Sequence, residues 1–328
     1  MRGLAVKGDG VGLRECYRKN DMRWYLKSAG FKVLSTVPGG TALYSFAQQN
    51  ITHSTDATVA RVDQKINVGL DYWKWLKAHG HADRILAGTI LDFGAGWHPT
   101  IPLLNYALGV PRQALLDLSP LITPRQIVKT ARIFRERVSA PEWPAGAELQ
   151  RLPEVPPDIN AGVSTLLGRW GMTYYTPYAP KSGALRDAAD AVFCTQVLLH
   201  LPREPLRQCF RMLRECLQPG GLILGTVHLM DLYSHTDPGI TPYHHLKFSP
   251  EFWERWVNTP MMPFNRFKAR DYRELLLETG FKLLHEEVNQ PSATDYASLD
   301  TVKLDPYFST YTRDELAAKH LFFVAQKS

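Results

Sequence analysis

The first regular pattern along the chain lies between Asp56 and His79. Apolar residues Val59, Val62, Ile66, Leu70, Trp73 and Leu76 recur at spacings of three and four, the stripe of an amphipathic helix, and Gly80 is placed to stop it. Ahead of it, the pattern predicts a helix over 13–29 that ends at Gly30. A hairpin should follow, with strands at 31–37 and 41–46 around a Pro38-Gly39-Gly40 turn. After Gly80 the rhythm changes to short apolar runs alternating with helical stripes. Strands are expected at 89–92, 113–117, 172–175, 190–195 and 222–227, and helices at 99–108, 125–137 and 203–217. Strand–helix–strand–helix implies a parallel sheet with right-handed crossovers, a doubly wound α/β fold.

Two stretches break the alternation. Residues 140–157 hold five prolines (Pro141, Pro144, Pro153, Pro156 and Pro157) and read as an exposed loop. Residues 229–268 are rich in His, Tyr, Trp and Pro, with Ser249-Pro250-Glu251 as a helix start. The alternation then resumes with a helix at 270–279, stopped by Gly280, and strands at 281–288 and 321–325. Thr312 and Glu315 between those strands have capping-box spacing. The expected organisation is an accessory segment over 1–80, then a ligand-binding α/β domain over 81–328 that carries an insert at 229–268.

Composition adds limits. The 328 residues are 45% apolar and 21% charged, ordinary for a globular chain. No apolar run reaches the ~18 residues of a membrane span, and the first residues lack the apolar centre of a secretory signal, so a cytoplasmic protein is expected. Cys16, Cys194, Cys209 and Cys216 form no Cys-x-x-Cys pair and read as free thiols, with no metal site. The net charge of +6 is small for the length. The densest basic feature, Arg203, Arg207, Arg211 and Arg214, falls on one helical face and reads as a solvated stripe. With no zinc finger or arginine-rich tail beside it, nucleic acid is disfavoured as a partner.

The chemistry concentrates at Leu91-Asp92-Phe93-Gly94-Ala95-Gly96-Trp97-His98-Pro99, between a strand and a helix. Glycines there let the backbone approach a ligand, and the helix start beyond offers free N–H groups. Asp117 ends the next strand, where an acid accepts hydrogen bonds from ribose hydroxyls. Nicotinamide enzymes share such an acid. Their fingerprint has a third glycine, however, and here Trp97-His98-Pro99 intervenes. Asp92 is also a poor neighbour for a pyrophosphate and a good one for an ammonium group.

On these residues the chain resembles the class I S-adenosylmethionine (SAM)-dependent methyltransferases over roughly residues 85–290. Asp92-Phe-Gly-Ala-Gly resembles their first motif and Asp117 their second-strand acid. Asp190-Ala-Val-Phe-Cys-Thr resembles their fourth strand, and Leu217-Gln-Pro-Gly-Gly221 the turn before their fifth. The resemblance implies a seven-stranded Rossmann-like sheet whose last strand is antiparallel and lies beside the fifth. It implies SAM as cofactor, with its amino-acid end against Asp92, Gly94 and Gly96, its ribose on Asp117, and Trp97 and Leu118 beside it. Its adenine would lie near Ala179 and Pro180. Gln196 and His200 would face the sulfonium. The insert is also similar to that of a bacterial subgroup, through Asp231 to Asp237, Tyr243 to Ser249 and Asn265 to Tyr272.

His200, His228 and Tyr243 are the candidate bases. Asp231, His235, Arg266 and Tyr272 are candidate acceptor-binding residues. The reading that follows is methyl transfer to a small molecule, in a bacterial secondary pathway. A second reading keeps SAM but attacks its γ-carbon, by cyclisation to azetidine-2-carboxylate or aminocarboxypropyl transfer, and releases methylthioadenosine. RNA methylation and a non-enzymatic partner subunit rank below these.

Overall fold

The computed structural model describes residues 23–38, 55–140, 143, 149–178 and 185–328. The expected strand at 41–46, Cys16, Ala179 and Pro180 lie outside the described residues, as does most of the expected helix at 13–29.

Seven strands form one sheet: β1 (Thr89–Phe93), β2 (Arg112–Leu116), β3 (Met172–Tyr175), β4 (Ala189–Thr195), β5 (Leu217–His228), β6 (Phe281–Val288) and β7 (His320–Lys327). Their order is β3-β2-β1-β4-β5-β7-β6, with β7 antiparallel to both β5 and β6. The inserted antiparallel last strand is the one the resemblance implied. The central strands are mostly apolar because helices cover both faces. In β4, Ala189 to Cys194 are all buried.

The described α-helices longer than one turn are α1 (Trp24–Thr36), α2 (Val59–Ala78), α3 (Ala82–Ala87), α4 (Thr100–Ala107), α5 (Pro124–Val138), α6 (Val163–Gly168), α7 (Arg203–Cys216), α8 (Ala269–Glu278), α9 (Ala293–Asp300) and α10 (Arg313–Ala317), and Ser249 caps a single helical turn at Pro250–Phe252, where a helix start was expected. One sheet face packs on α2, α4 and α5 through Val62, Ile66, Leu104, Ile127 and Phe134. The other packs on α7 and α8 through Leu206, Phe210, Leu213, Leu275 and Leu276. Each fully buried side chain of this kind contributes roughly 1.5–3 kcal/mol. α2 therefore shares its core with β1 and β4. Thr58 caps it, its side chain accepting the Arg61 N–H, and Gly80 ends it at φ +73°.

Three expectations need correction. Residues 31–37 are not a strand, because α1 runs through Gly30 to Thr36. Gly30 keeps a helical backbone, and one face of α1, with Ser28 and Phe31, is buried. Ser28 Oγ donates to the Trp256 carbonyl at 2.8 Å, which fixes that face against a π-turn at Trp253–Val257. Second, Pro219-Gly220-Gly221 does not precede β5 but lies within it. Leu217 already pairs with Ala189, and the register shifts between Ala189 and Ala191 to take up the extra residues. Third, the arginine stripe of α7 is a solvated face only in part: Arg211 is exposed, but the other three are engaged. Arg203 pairs with Asp271 and Glu274, and Arg207 with Glu204 and Glu278. Arg214 donates to the Gly280 and Ser328 carbonyls. The acidic side of α8 neutralises much of the stripe.

Candidate active site

The strand order reverses between β1 and β4, and ligands of open α/β sheets bind at the carboxyl ends of the strands at such a point. β1 ends there in the glycine turn. Gly94 has φ +74° and Gly96 φ +68°, conformations that side chains other than glycine rarely adopt. The Gly94 N–H donates to the Leu116 carbonyl at 2.9 Å, which ties the turn to the end of β2. The Gly96 N–H donates to Asp117 Oδ2 at 2.9 Å, so the turn and the acid position each other. The two glycines differ in surroundings. A Cβ on Gly94 would stand 2.4 Å from Val197 Cγ2, whereas one on Gly96 would meet only the Gly94 carbonyl, at 3.8 Å. Gly94 is needed for packing, and Gly96 borders open space that a ligand can enter.

Asp92 is only 4% exposed. Burial raises its pKa to about 7; the Lys65 charge opposes that rise and the Asp117 charge adds to it. Burial also raises Asp117, against hydrogen bonds from the N–H groups of Gly96, Ser119 and Leu118. Two carboxylates with one nearby lysine make this crevice receptive to a cation. Trp97 is half-buried beside the turn and Leu118 is exposed past β2. Both can border a bound nucleoside.

The residues also fit SAM in what they leave unsatisfied. His98 Nε2 and Thr100 Oγ1, at the start of α4, are buried without a hydrogen-bond partner. Burial, with Lys65, Arg61 and Lys129 nearby, holds His98 at about 2, so its ring is neutral.

Past β4, Gln196 has φ +56°, a strained conformation for a side-chain-bearing residue and one that concentrates at functional sites. It is held at both ends: its N–H donates to the Thr226 carbonyl at 3.0 Å, and its Oε1 accepts the His228 N–H at 2.8 Å. Beneath it, the Tyr72 hydroxyl lies within hydrogen-bonding distance of the Thr195 and Thr226 hydroxyls.

His228, at the end of β5, stands in register with His320, at the start of β7. Their Nδ1 atoms are 2.9 Å apart, so one ring donates and the other accepts. Burial, chiefly, and the charges of His320, His235 and His200 hold His228 well below its usual range; burial brings His320 to about 4. The His235 ring lies 6.3 Å from His228. His200 sits on a 3-10 turn, Leu198–His200, with Nδ1 2.6 Å from the Pro263 carbonyl. A carbonyl only accepts, so Nδ1 carries the proton and Nε2 is left as the basic atom. Burial lowers its pKa, which keeps the ring neutral.

The fold thus gathers Asp92, Gly94, Gly96, Trp97 and Asp117 at one end of the crevice, and Gln196, His200, His228 and His235 at the other. Three expected site residues, Tyr243, Asp231 and Tyr272, do not join them with free polar atoms, and a fourth, Arg266, reaches the cleft beside His200 from the insert. Tyr243 is fully buried, and its hydroxyl donates to Asp295 Oδ1 with the Ala317 carbonyl also in reach, in a separate cluster with Leu246, Leu299 and Phe308. Asp231 is buried, caps the next turn through the Tyr233 N–H and holds His244 Nδ1 at 3.2 Å. Arg266 donates to the His245 and Phe248 carbonyls between the Trp253 and Phe308 rings. Tyr272 donates to Asn265 Oδ1. Each of these groups holds the insert together. Conversely, His320 and Lys65 were not legible as site residues. His320 depends on the β5–β7 register, and Lys65 sits on a helix outside every motif.

A cleft of about 230 Å³ adjoins His200, walled by Trp253, Asn258, Phe264, Asn265, Arg266 and Tyr307. No helix among the described residues is long and apolar enough to cross a membrane.

A family model described as a methyltransferase domain matches residues 67–286. No curated protein matches the chain in sequence. Among solved structures, the chain is similar to magnesium protoporphyrin IX methyltransferase from Synechocystis PCC 6803 with bound SAH, at 15% identity over 88% of this chain and 99% of that one, with a TM-score of 0.43. It is also similar to a sarcosine dimethylglycine methyltransferase from Galdieria sulphuraria, so described provisionally, at 14% identity over 79% of this chain and 86% of that one, with a TM-score of 0.42. The family match spans well over half of the chain and contains the glycine turn, Asp117 and the β4–β5 motifs: the chain belongs to the methyltransferase-domain family and is an S-adenosylmethionine-dependent methyltransferase of the class I type.

Proposed function

We propose that the crevice at the carboxyl ends of β1, β2 and β4 binds SAM and that the protein methylates a small-molecule acceptor held beneath the insert. The observation that carries this reading is the pairing of a buried Asp92 with Asp117 at the end of β2 around an open Gly96. The set suits an ammonium group and a ribose together, and it repels a pyrophosphate.

SAM supplies a methyl group already activated by the positive sulfur. The residues therefore have to hold the two reactants in line and keep water out. Asp117 accepts the ribose hydroxyls while the Gly96 N–H fixes its orientation. Asp92 takes the ammonium. Trp97 and Leu118 flank the nucleoside. Gln196, held by its two hydrogen bonds, forms the wall opposite the glycine turn. His200 Nε2 is a neutral group beside the acceptor, able to take a proton from a hydroxyl nucleophile, and the His228–His320 pair is an uncharged polar wall next to it. α2 and the insert 229–268 border the site, and the cleft beside His200 gives a small acceptor its room. The paired arginines of α7 leave little free positive charge there for RNA.

The test is mass spectrometry of SAM incubated with the pure protein, alone and with pools of small phenols, enols and amines. S-adenosylhomocysteine formed together with an acceptor heavier by one methylene supports the proposal. Methylthioadenosine formed from SAM alone overturns it and assigns attack to the γ-carbon.

A further inference from the structure

Lys65 stands on α2, before the sheet begins, yet its ammonium reaches the glycine turn. It donates to the His98 carbonyl at 3.3 Å and, among the described residues, forms no ion pair. Asp92 and Asp117 both act on its charge and it on theirs, so it lies near both acids of the crevice. Burial lowers its pKa. An ammonium has three N–H donors, and one long bond to a carbonyl leaves two unused. Lys65 is half-buried, so its spare donors open toward the crevice with no bonded counter-charge. Beside it, His98 Nε2 and Thr100 Oγ1 are buried and unpartnered, and a Cβ on Gly96 would meet only the Gly94 carbonyl, at 3.8 Å. The other cation of this stretch is already engaged: Arg61 donates to the Asp56 carbonyl at 2.8 Å.

A cation with spare donors, an unpartnered hydroxyl and an open turn together describe a place for a carboxylate. Resting on the SAM reading above, we propose that Lys65 binds the α-carboxylate of the methionine end while Asp92 binds its α-ammonium. The zwitterion is then gripped by opposite charges from two elements, one of them outside the nucleotide-binding motifs. The site therefore selects ligands that keep both charges, and it discriminates against SAM that has lost its carboxylate.

The experiment is isothermal titration calorimetry on the full chain with two ligands, SAM and decarboxylated SAM. The second keeps the sulfonium, ribose, adenine and ammonium and lacks only the carboxylate. Wild type should prefer SAM by about 10- to 100-fold, the range for a charge-assisted contact in a partly buried site. Lys65→Met should weaken SAM by about that factor, leave decarboxylated SAM nearly unchanged, and so abolish the preference. Lys65→Arg should restore part of it. A Lys65→Met protein that retains the preference overturns the inference, and so does one that loses both ligands in equal proportion. Wild type that binds both ligands with no preference also overturns it while leaving the cofactor reading intact. Wild type that binds neither ligand overturns the cofactor reading itself, and this assignment with it.

Discussion

Asp92 illustrates how one residue serves binding at the expense of stability. Its folded pKa is about 7, against an ordinary value of 3.8. Between those values the folded state holds a proton that the unfolded chain has released. Stability therefore falls as pH rises from about 4 to about 7, and the penalty is fully present above pH 7. Asp92→Asn removes a buried charge and should stabilise the ligand-free protein at pH 8 by on the order of 2 kcal/mol, read from urea unfolding. The same variant should bind SAM at least about tenfold more weakly, because the ammonium loses its counter-charge. A variant that is less stable at pH 8 would remove the account of Asp92 given above. His320 is a second case. His320→Asn removes one of the charges that depress His228, so the His228 ring, followed by NMR, should titrate at higher pH; an unchanged titration would mean that the pair is not coupled. Asp92, Gly94, Gly96 and Asp117 were legible because a strand, a turn and a strand fix their separation along the chain. The roles of Tyr243, Arg266 and Tyr272 were not, since a polar group in an insert looks the same in sequence whether it meets a ligand or a carbonyl.

At the scale of elements, the turn between β1 and α4 is the least tolerant. Gly94→Ala places a Cβ 2.4 Å from Val197 Cγ2 on a backbone with φ +74°. Strain of this kind costs roughly 1–3 kcal/mol, and the shift of the turn should also move the Gly96 N–H away from Asp117. Thermal unfolding should show a drop of several degrees together with weaker SAM binding; normal stability and affinity would contradict the packing described for Gly94. The strands and helices α2, α4, α5, α7 and α8 were legible from periodicity, with ends shifted by a few residues, whereas the short α3, α6 and α9 were not. α1 was misread because Gly30 and the β-branched residues after it mimic a stop and a strand. Contact with the distant 253–257 turn overrides that local preference, and no window of sequence contains both partners. The stripe on α7 was legible as a helical face, but its acidic partners on α8 were visible only once the two helices lay side by side.

The whole molecule presents one sheet with its crevice at the switch point, and α2, the insert and β7 each add groups to it. SAM binding should therefore stabilise elements far apart in the chain. At a ligand concentration about 100 times Kd, the gain is about 2.7 kcal/mol, a rise of several degrees in Tm. The topology was legible through the ordered motifs alone, since composition and periodicity leave several doubly wound sheets open. The acceptor was not legible, because methyl transfer asks for position and dryness and leaves no shared set of catalytic residues in the sequence. The most direct test of the crevice is calorimetric titration of S-adenosylhomocysteine into wild type and Asp117→Ala, with circular dichroism to check that both are folded. The account predicts measurable binding by wild type and a loss of at least about tenfold in the variant, because two ribose contacts to a carboxylate disappear. Equal affinity in the two folded proteins would place the cofactor elsewhere and contradict the site.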